Sequence, residues 1–334
     1  MLSKILPLYR LSSGCDYHRV LLPLGFAGYD FNLIKDMTTE KLRGFKVIYF
    51  NRTPLNVPAE TIKKLKSEYG MKVVMDLDDY WELYPKHYLH KKWEESKTPE
   101  RIKQYMAVSD EVVCTTERLA TKIREFNPNV HVFPNAMPLG TTDQYAFNRT
   151  ESTKTRFGFV GGTSHTEDMR TIFPVFQHYN HLDFTFYGFI PKNPEALRIA
   201  AYCSNNFKNP YYKSMPQVPL DKYMYGYDNL DCCIAPLVDE EFNKYKSNLK
   251  VLEAGLKKCA LICSPIACYT DTVPDDMVTY CKSIKDWKIA IKQHQDLAYT
   301  RERGEKLHKW VIENYSLEEI NKPRMALLES LCKA

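Results

Sequence analysis

The sequence predicts an α/β protein built of two Rossmann-like, doubly wound domains that face a central cleft. Three observations lead there. Short β-rich runs alternate with helical stretches along the 334 residues, the pattern of a largely parallel sheet with crossover helices. A polar stretch without hydrophobic period, Gly140–Thr155, interrupts that alternation, and the alternation then starts afresh. Open parallel sheets bind ligands beyond the carboxyl ends of their strands, so two such sheets present their sites to one shared cleft.

In the first domain, residues 1–140, apolar runs rich in Val, Ile, Tyr and Phe mark strands at Ile5–Tyr9, Tyr29–Ile34, Lys46–Asn51, Lys72–Leu77, Glu111–Thr115 and Val130–Phe133. Helical periodicity marks His18–Gly25, Ala59–Tyr69, Pro99–Ala107 and Glu117–Phe126. Residues 141–155 form a linker. In the second domain, residues 156–300, strands are expected at Arg156–Val160, Asp183–Tyr187, Leu230–Pro236, Ala260–Cys263 and Met277–Tyr280. Helices are expected at His165–Tyr179, Asn248–Lys257 and Ile284–Leu297. The tail, residues 301–334, reads as helices broken near Asn314-Tyr-Ser316 that pack back on the first domain.

Composition narrows the class. No apolar run approaches the roughly 18–20 residues of a membrane span. Met1-Leu-Ser-Lys-Ile-Leu-Pro7 is too short and too broken for a signal peptide, so a cytosolic setting is expected. Ten cysteines agree with that setting. Cys259, Cys263 and Cys268 do not have the spacing of a zinc site, and no metal or cofactor is expected. The net charge is +5, and 4 units of it lie in the first 150 residues, which permits an anionic partner for that half.

The segment Phe242–Glu253 carries the strongest chemical signal. Lys246, Ser247, Lys250 and Glu253 fall at offsets 0, 1, 4 and 7, which sets Lys246, Lys250 and Glu253 on one face of a helix starting there. Two cations and a hydroxyl at a helix start suit a diphosphate, and a carboxylate one turn deeper suits a ribose diol. An amphipathic helix with a solvated Lys/Glu face explains the same spacing. The second domain opens on Phe157-Gly-Phe-Val-Gly161-Gly162-Thr-Ser-His165, a strand running into two glycines and a helix start. Ser164 and Glu167 are spaced as a capping box, and His165 would stand in the first turn, facing the cleft. The third glycine of a nicotinamide fingerprint is missing. In the first domain, Asp16, His18 and Arg19 follow the first strand, where they could orient an acceptor hydroxyl or bind an anion. A plain helix cap by Asp16 is the simpler account. Asp76, Asp78 and Asp79 end the strand Lys72–Leu77 and line the same cleft.

Taken together, these stretches resemble the GT-B glycosyltransferases, in particular retaining family 4 and its bacterial and phage relatives. The resemblance runs through Val132-Phe-Pro-Asn135-Ala-Met, Phe157–Gly162 with His165 and Asp168, Phe184–Gly188, Leu230–Pro236 and Asn243–Glu253. It implies a nucleotide-diphosphate sugar bound by the second domain and an acceptor bound by the first. Glu253 would hold the ribose, Lys246, Ser247 and Lys250 the diphosphate, and Val218–Tyr223 would border the base. Gly161 and Gly162 would complete the donor site, and Asp16, His18, His165 and Asp78 are the catalytic candidates, His165 on the donor side of the cleft and the others on the acceptor side. Two departures stand out. Tyr245 occupies the place of the family's first glutamate, and Gly162 that of its arginine. The resemblance implies transfer with retention and without metal.

The acceptor is read as a saccharide or glycolipid, with the basic half against an anionic membrane surface, or as a hydroxymethylated base in phage-like DNA. In the DNA case Lys63, Lys64, Lys66, Lys91 and Lys92 would touch phosphates. A sugar-nucleotide epimerase of the same fold, an inactive nucleotide-sugar-binding protein, and a metal-dependent GT-A enzyme using Asp76 and Asp78 remain the alternatives.

Overall fold

The computed structural model describes residues 2–35, 38–54, 57–189, 194 and 213–333. Two all-parallel sheets organise them. The first has five strands in the order β1 (Ile5–Leu8), β2 (Val47–Asn51), β3 (Lys72–Leu77), β4 (Glu111–Cys114) and β5 (Val130–Val132). Helices cover both of its faces. On one lie Ala59–Tyr69, Thr98–Val108 and Glu117–Ile123, packing Ile62, Ile102 and Leu119 against Ile48, Val73 and Val112. On the other lie the helical turns of residues 14–26 and the last helix, Leu317–Lys333, around Val20, Leu24, Tyr49, Val74 and Leu328.

The second sheet has six strands in the order β11-β10-β9-β6-β7-β8. Here β6 (Arg156–Val160) pairs with β7 (Asp183–Phe189) on one side and β9 (Cys232–Ala235) on the other. The chain winds outward from β6 in both directions. A topological switch point therefore lies between β6 and β9, and the crevice beyond their carboxyl ends is the expected ligand position. β10 (Ala260–Cys263) and β11 (Thr279–Tyr280) complete one wing, and β8 (Lys213–Pro216) the other.

Several expectations change. Tyr29–Ile34 is no strand but a 3-10 turn over Phe31–Ile34. Gly28 at φ +86° turns the chain, and the Asp30 carboxylate accepts from the Asn32 amide at 2.9 Å, a local bond that competes with a ladder. The expected helix His165–Tyr179 is split into Thr166–Arg170 and Phe173–His178, because Pro174 has no N–H and opens a new helix. The Ser164 capping box is not the helix start. A 3-10 turn over Thr163–His165 precedes the helix, whose N-cap is His165. The tail breaks where expected, into Leu297–Asn314 and Leu317–Lys333. The former packs on Leu249–Leu256 of the second domain, with Leu307 and Val311 against Gly255.

Candidate active site

The segment Phe242–Glu253 is two short helices, Glu241–Lys244 and Leu249–Leu256, with Lys246 and Ser247 in the bend between them. Lys246 therefore does not share a helix face with Lys250 and Glu253. Its ammonium stands 4.5 Å from the centre of the Phe242 ring and 3.8 Å from Asp79 of the first domain. Among the described residues, no acceptor is found for the backbone N–H groups of Ser247 to Lys250 at the head of the second helix. The Ser247 hydroxyl accepts from the Asn135 amide at 2.8 Å.

Glu253 is 1% exposed and already engaged. Tyr223 donates to Oε1 at 2.9 Å, Tyr227 to Oε2 at 2.7 Å, and Lys250 to Oε2 at 2.8 Å. Burial pushes the carboxyl pKa up, but the Lys250 ammonium and the hydrogen bonds from Lys250 and Tyr227 outweigh it and hold the group ionised. His18 arrives from the first domain, with Nε2 at 3.1 Å from the Tyr223 hydroxyl and 4.0 Å from Glu253. Burial depresses its pKa to about 4, so the ring is neutral at pH 7.

On the β6 side, Gly161 cannot carry a side chain, since a Cβ would lie 2.6 Å from the Phe159 ring. Gly162 faces open space. His165 donates from Nδ1 to the Asp168 carboxylate at 2.8 Å, and burial lowers its pKa against that carboxylate's pull. Asp168 is itself fixed by the Val238 amide at 2.8 Å. The neutral His165 ring therefore offers Nε2 as an acceptor.

The first domain supplies the facing wall. Arg52, in the left-handed region at φ +53°, bonds Asp78 at 3.0 Å and also pairs with Asp79. Burial raises the Asp78 pKa, but Arg52, Cys15 and Asn51 reverse that and hold it at about 2. Cys15, Asp78 and Asp79 bring ligand-type atoms within 4.8 Å of one another, and both carboxylates already have cationic partners. Asp76 is not at the surface of this wall. It is fully buried and bonded to Arg19 at 2.7 Å and to Tyr49 at 2.8 Å, so the Asp76-x-Asp78 pair cannot clasp a metal as a GT-A signature would. Asp16 is turned inward, accepting from the Arg10 amide at 2.8 Å in a loop closure.

Three participants carry no spacing signal in the sequence. Tyr227 clamps Glu253 from a 3-10 turn. Asn135 links Arg19, at 3.1 Å, to Ser247. His87 comes from the loop after β3. It accepts the Leu89 amide on Nδ1 at 3.2 Å and packs 5.7 Å from the Phe242 ring, and burial with Lys246 lowers its pKa to about 4. A neutral His87 thus carries its proton on Nε2 and is a donor, the complement of His165. Tyr245 fills the missing glutamate's place by stacking on Tyr80 at 4.8 Å, joining the domains rather than facing a ligand.

No family model and no curated protein sequence matches the chain. Solved structures do. The sucrose-phosphate synthase of Thermosynechococcus elongatus superposes with a TM-score of 0.65 over 86% of this chain and 74% of that one, at 14% identity. HepE from Anabaena, solved in complex with UDP-glucose, gives 0.65 over 87% and 80% at 10% identity. A glycosyltransferase from Rickettsia africae gives 0.65 over 98% of both chains at 12% identity. The fold is GT-B. At these identities the likeness is one of architecture, and in a GT-B fold the crevice at the β6–β9 switch point opens on the interdomain cleft that holds the groups described above.

Proposed function

We propose that this protein is a glycosyltransferase that moves a sugar from a nucleotide-diphosphate donor to an acceptor hydroxyl in the cleft. The observation that carries this reading is the cationic and N–H-rich bend at Lys246–Lys250 beside the switch point, opposite the Gly161-Gly162 turn. Breaking the anomeric C–O bond sends its electron pair to the departing diphosphate. Lys246, Lys250 and the amides of residues 247–250, which have no acceptor among the described residues, suit that charge, and one well-aimed donor of this kind is worth roughly 3–4 kcal/mol. The acceptor oxygen bonds to the anomeric carbon, and its proton leaves with the diphosphate. His165 as an acceptor and His87 as a donor suit opposite sides of a sugar hydroxyl. Glu253 serves the ribose, and His18 orients the acceptor.

Metal-free transfer fits the wall of the first domain, where Arg52 and Lys246 already balance Asp78 and Asp79, and retention is what the resemblance to family 4 implies. For the acceptor, a saccharide or glycolipid is favoured over DNA. Lys63, Lys66 and Lys91, three of the lysines that would grip phosphates, are paired with Glu60, Asp110 and Glu95. No helix among the described residues is long and apolar enough to cross a membrane. The test is a calorimetric panel of nucleotide sugars, followed by transfer to glycan, glycolipid and hydroxymethylated-DNA acceptors with and without chelator. Failure of every nucleotide sugar to bind would sink the reading. Activity restored only by added metal would sink its metal-free part.

A further inference from the structure

A carboxylate offers about four acceptor positions. At Glu253, Tyr223 takes one on Oε1, Tyr227 and Lys250 take two on Oε2, and His18 closes the remaining approach to Oε1 at 4.0 Å. A ribose diol therefore reaches this carboxylate only by replacing a donor already there. The two tyrosines are not equivalent. Tyr227 is 1% exposed within the 3-10 turn Tyr223–Asn229, among buried Met224 and Gly226. Tyr223 is the first residue of that turn and only partly buried. It follows residues 215–222, which are exposed except at Leu220. Of the two tyrosine hydroxyls on Glu253, that of Tyr223 also meets His18 of the first domain at 3.1 Å.

We propose that Tyr223 is the positioning residue that a nucleotide's ribose displaces: its hydroxyl ties Glu253 to His18 across the cleft and yields Oε1 to a ribose hydroxyl. This rests on the reading that Glu253 serves the ribose. Displacement exchanges one hydrogen bond for another and, in the same step, frees His18 from the second domain. The tyrosine hydroxyl thus competes with the nucleotide, and its removal tightens binding. A net hydrogen bond of about 0.5–1.5 kcal/mol corresponds to a gain of roughly two- to tenfold.

The test is calorimetry on the full chain and on Tyr223→Phe, which keeps the ring. The ligands are whichever of UDP, GDP and ADP binds tightest, and its 2′,3′-dideoxy analogue. The expected result is tighter binding of the ribonucleotide to Tyr223→Phe with no gain for the dideoxy analogue. Unchanged or weaker ribonucleotide binding by the variant overturns the proposal while leaving the nucleotide site intact. An equal gain for the dideoxy analogue also overturns it, because the competitor would then not be the ribose. If the unmodified chain binds none of the three nucleotides, it is the reading of the site itself that fails.

Discussion

Arg19→Met tests the buried ion pair on which the first-domain wall is built. Arg19 and Asp76 are both fully buried. Arg19 donates to Asp76 at 2.7 Å, to the Phe133 carbonyl at 2.9 Å and to Asn135 at 3.1 Å. Methionine keeps the apolar stem but removes all three bonds and leaves Asp76 with Tyr49 alone. An uncompensated buried charge of this kind costs about 3–5 kcal/mol. Adding Asp76→Leu removes the stranded charge. Tyr49 can still donate to the Arg19 carbonyl, 2.8 Å away, so the double variant should lie within about 2 kcal/mol of the parent. Asn135 also loses its anchor in the single variant, and with it the bond to Ser247, so donor KM should rise. Urea unfolding followed by far-UV circular dichroism measures the stabilities, and initial rates measure KM. A single variant that loses less than about 1 kcal/mol, or a double variant as unstable as the sum of the two singles, would refute the reasoning.

Three further outcomes are expected. Lys246→Ala should weaken nucleotide-sugar binding by tenfold or more with little loss of stability, read by calorimetry and thermal unfolding, because among the described residues its ammonium has only a 3.8 Å contact with Asp79 and the Phe242 ring to hold it. Acidification should destabilise the protein through His18, which faces Glu253, Lys250, Asp78 and Arg19, and His87, which faces Lys246, Asp168, His165 and Asp79. Both have folded pKa values near 4 against 6.5 when unfolded, so the unfolded chain binds the extra protons and stability falls from pH 6.5 toward 4. The loss approaches roughly 3 kcal/mol per histidine, and His87→Gln should flatten its share in denaturation curves at pH 7.5 and 5. Gly188→Ala should lower the thermal midpoint and weaken donor binding together, since Gly188 sits at φ +99° and a Cβ would stand 2.1 Å from the Gly161 carbonyl oxygen.

The two parallel sheets were legible because their strands are buried on both faces and read as continuous apolar runs, such as Val47–Phe50 and Ala260–Cys263. Tyr29–Ile34 misled because its aromatic and branched side chains suit a strand, while Asp30 and Gly28 supply the turn that wins. The edge strand Lys213–Pro216 is only four residues long, half of them polar and the last a proline, which hid it. At the site, Lys250 and Glu253 were found by helical spacing, and that spacing holds for them because they share Leu249–Leu256. It failed for Lys246, which the bend after Lys244 takes off the helix. Tyr223, Tyr227, Asn135 and His87 act through contacts between residues 26 to 205 positions apart, which no local period encodes.

The chain passes between the domains twice, once after β5 and once between the last two helices. The two passages touch. The Met137 amide donates to the Tyr315 carbonyl at 2.8 Å, and the Leu317 amide to the Met137 carbonyl at 2.8 Å. The two passages are thus pinned side by side, and drawing them apart would break both of these backbone bonds. Since the last helix covers one face of the first sheet, a chain cut after Tyr315 would lose the second tether and uncover Val47, Val74 and Val113 in a single stroke. The last helix, Leu317–Lys333, thereby does two jobs at once: it covers a face of the first sheet and anchors the second passage between the domains.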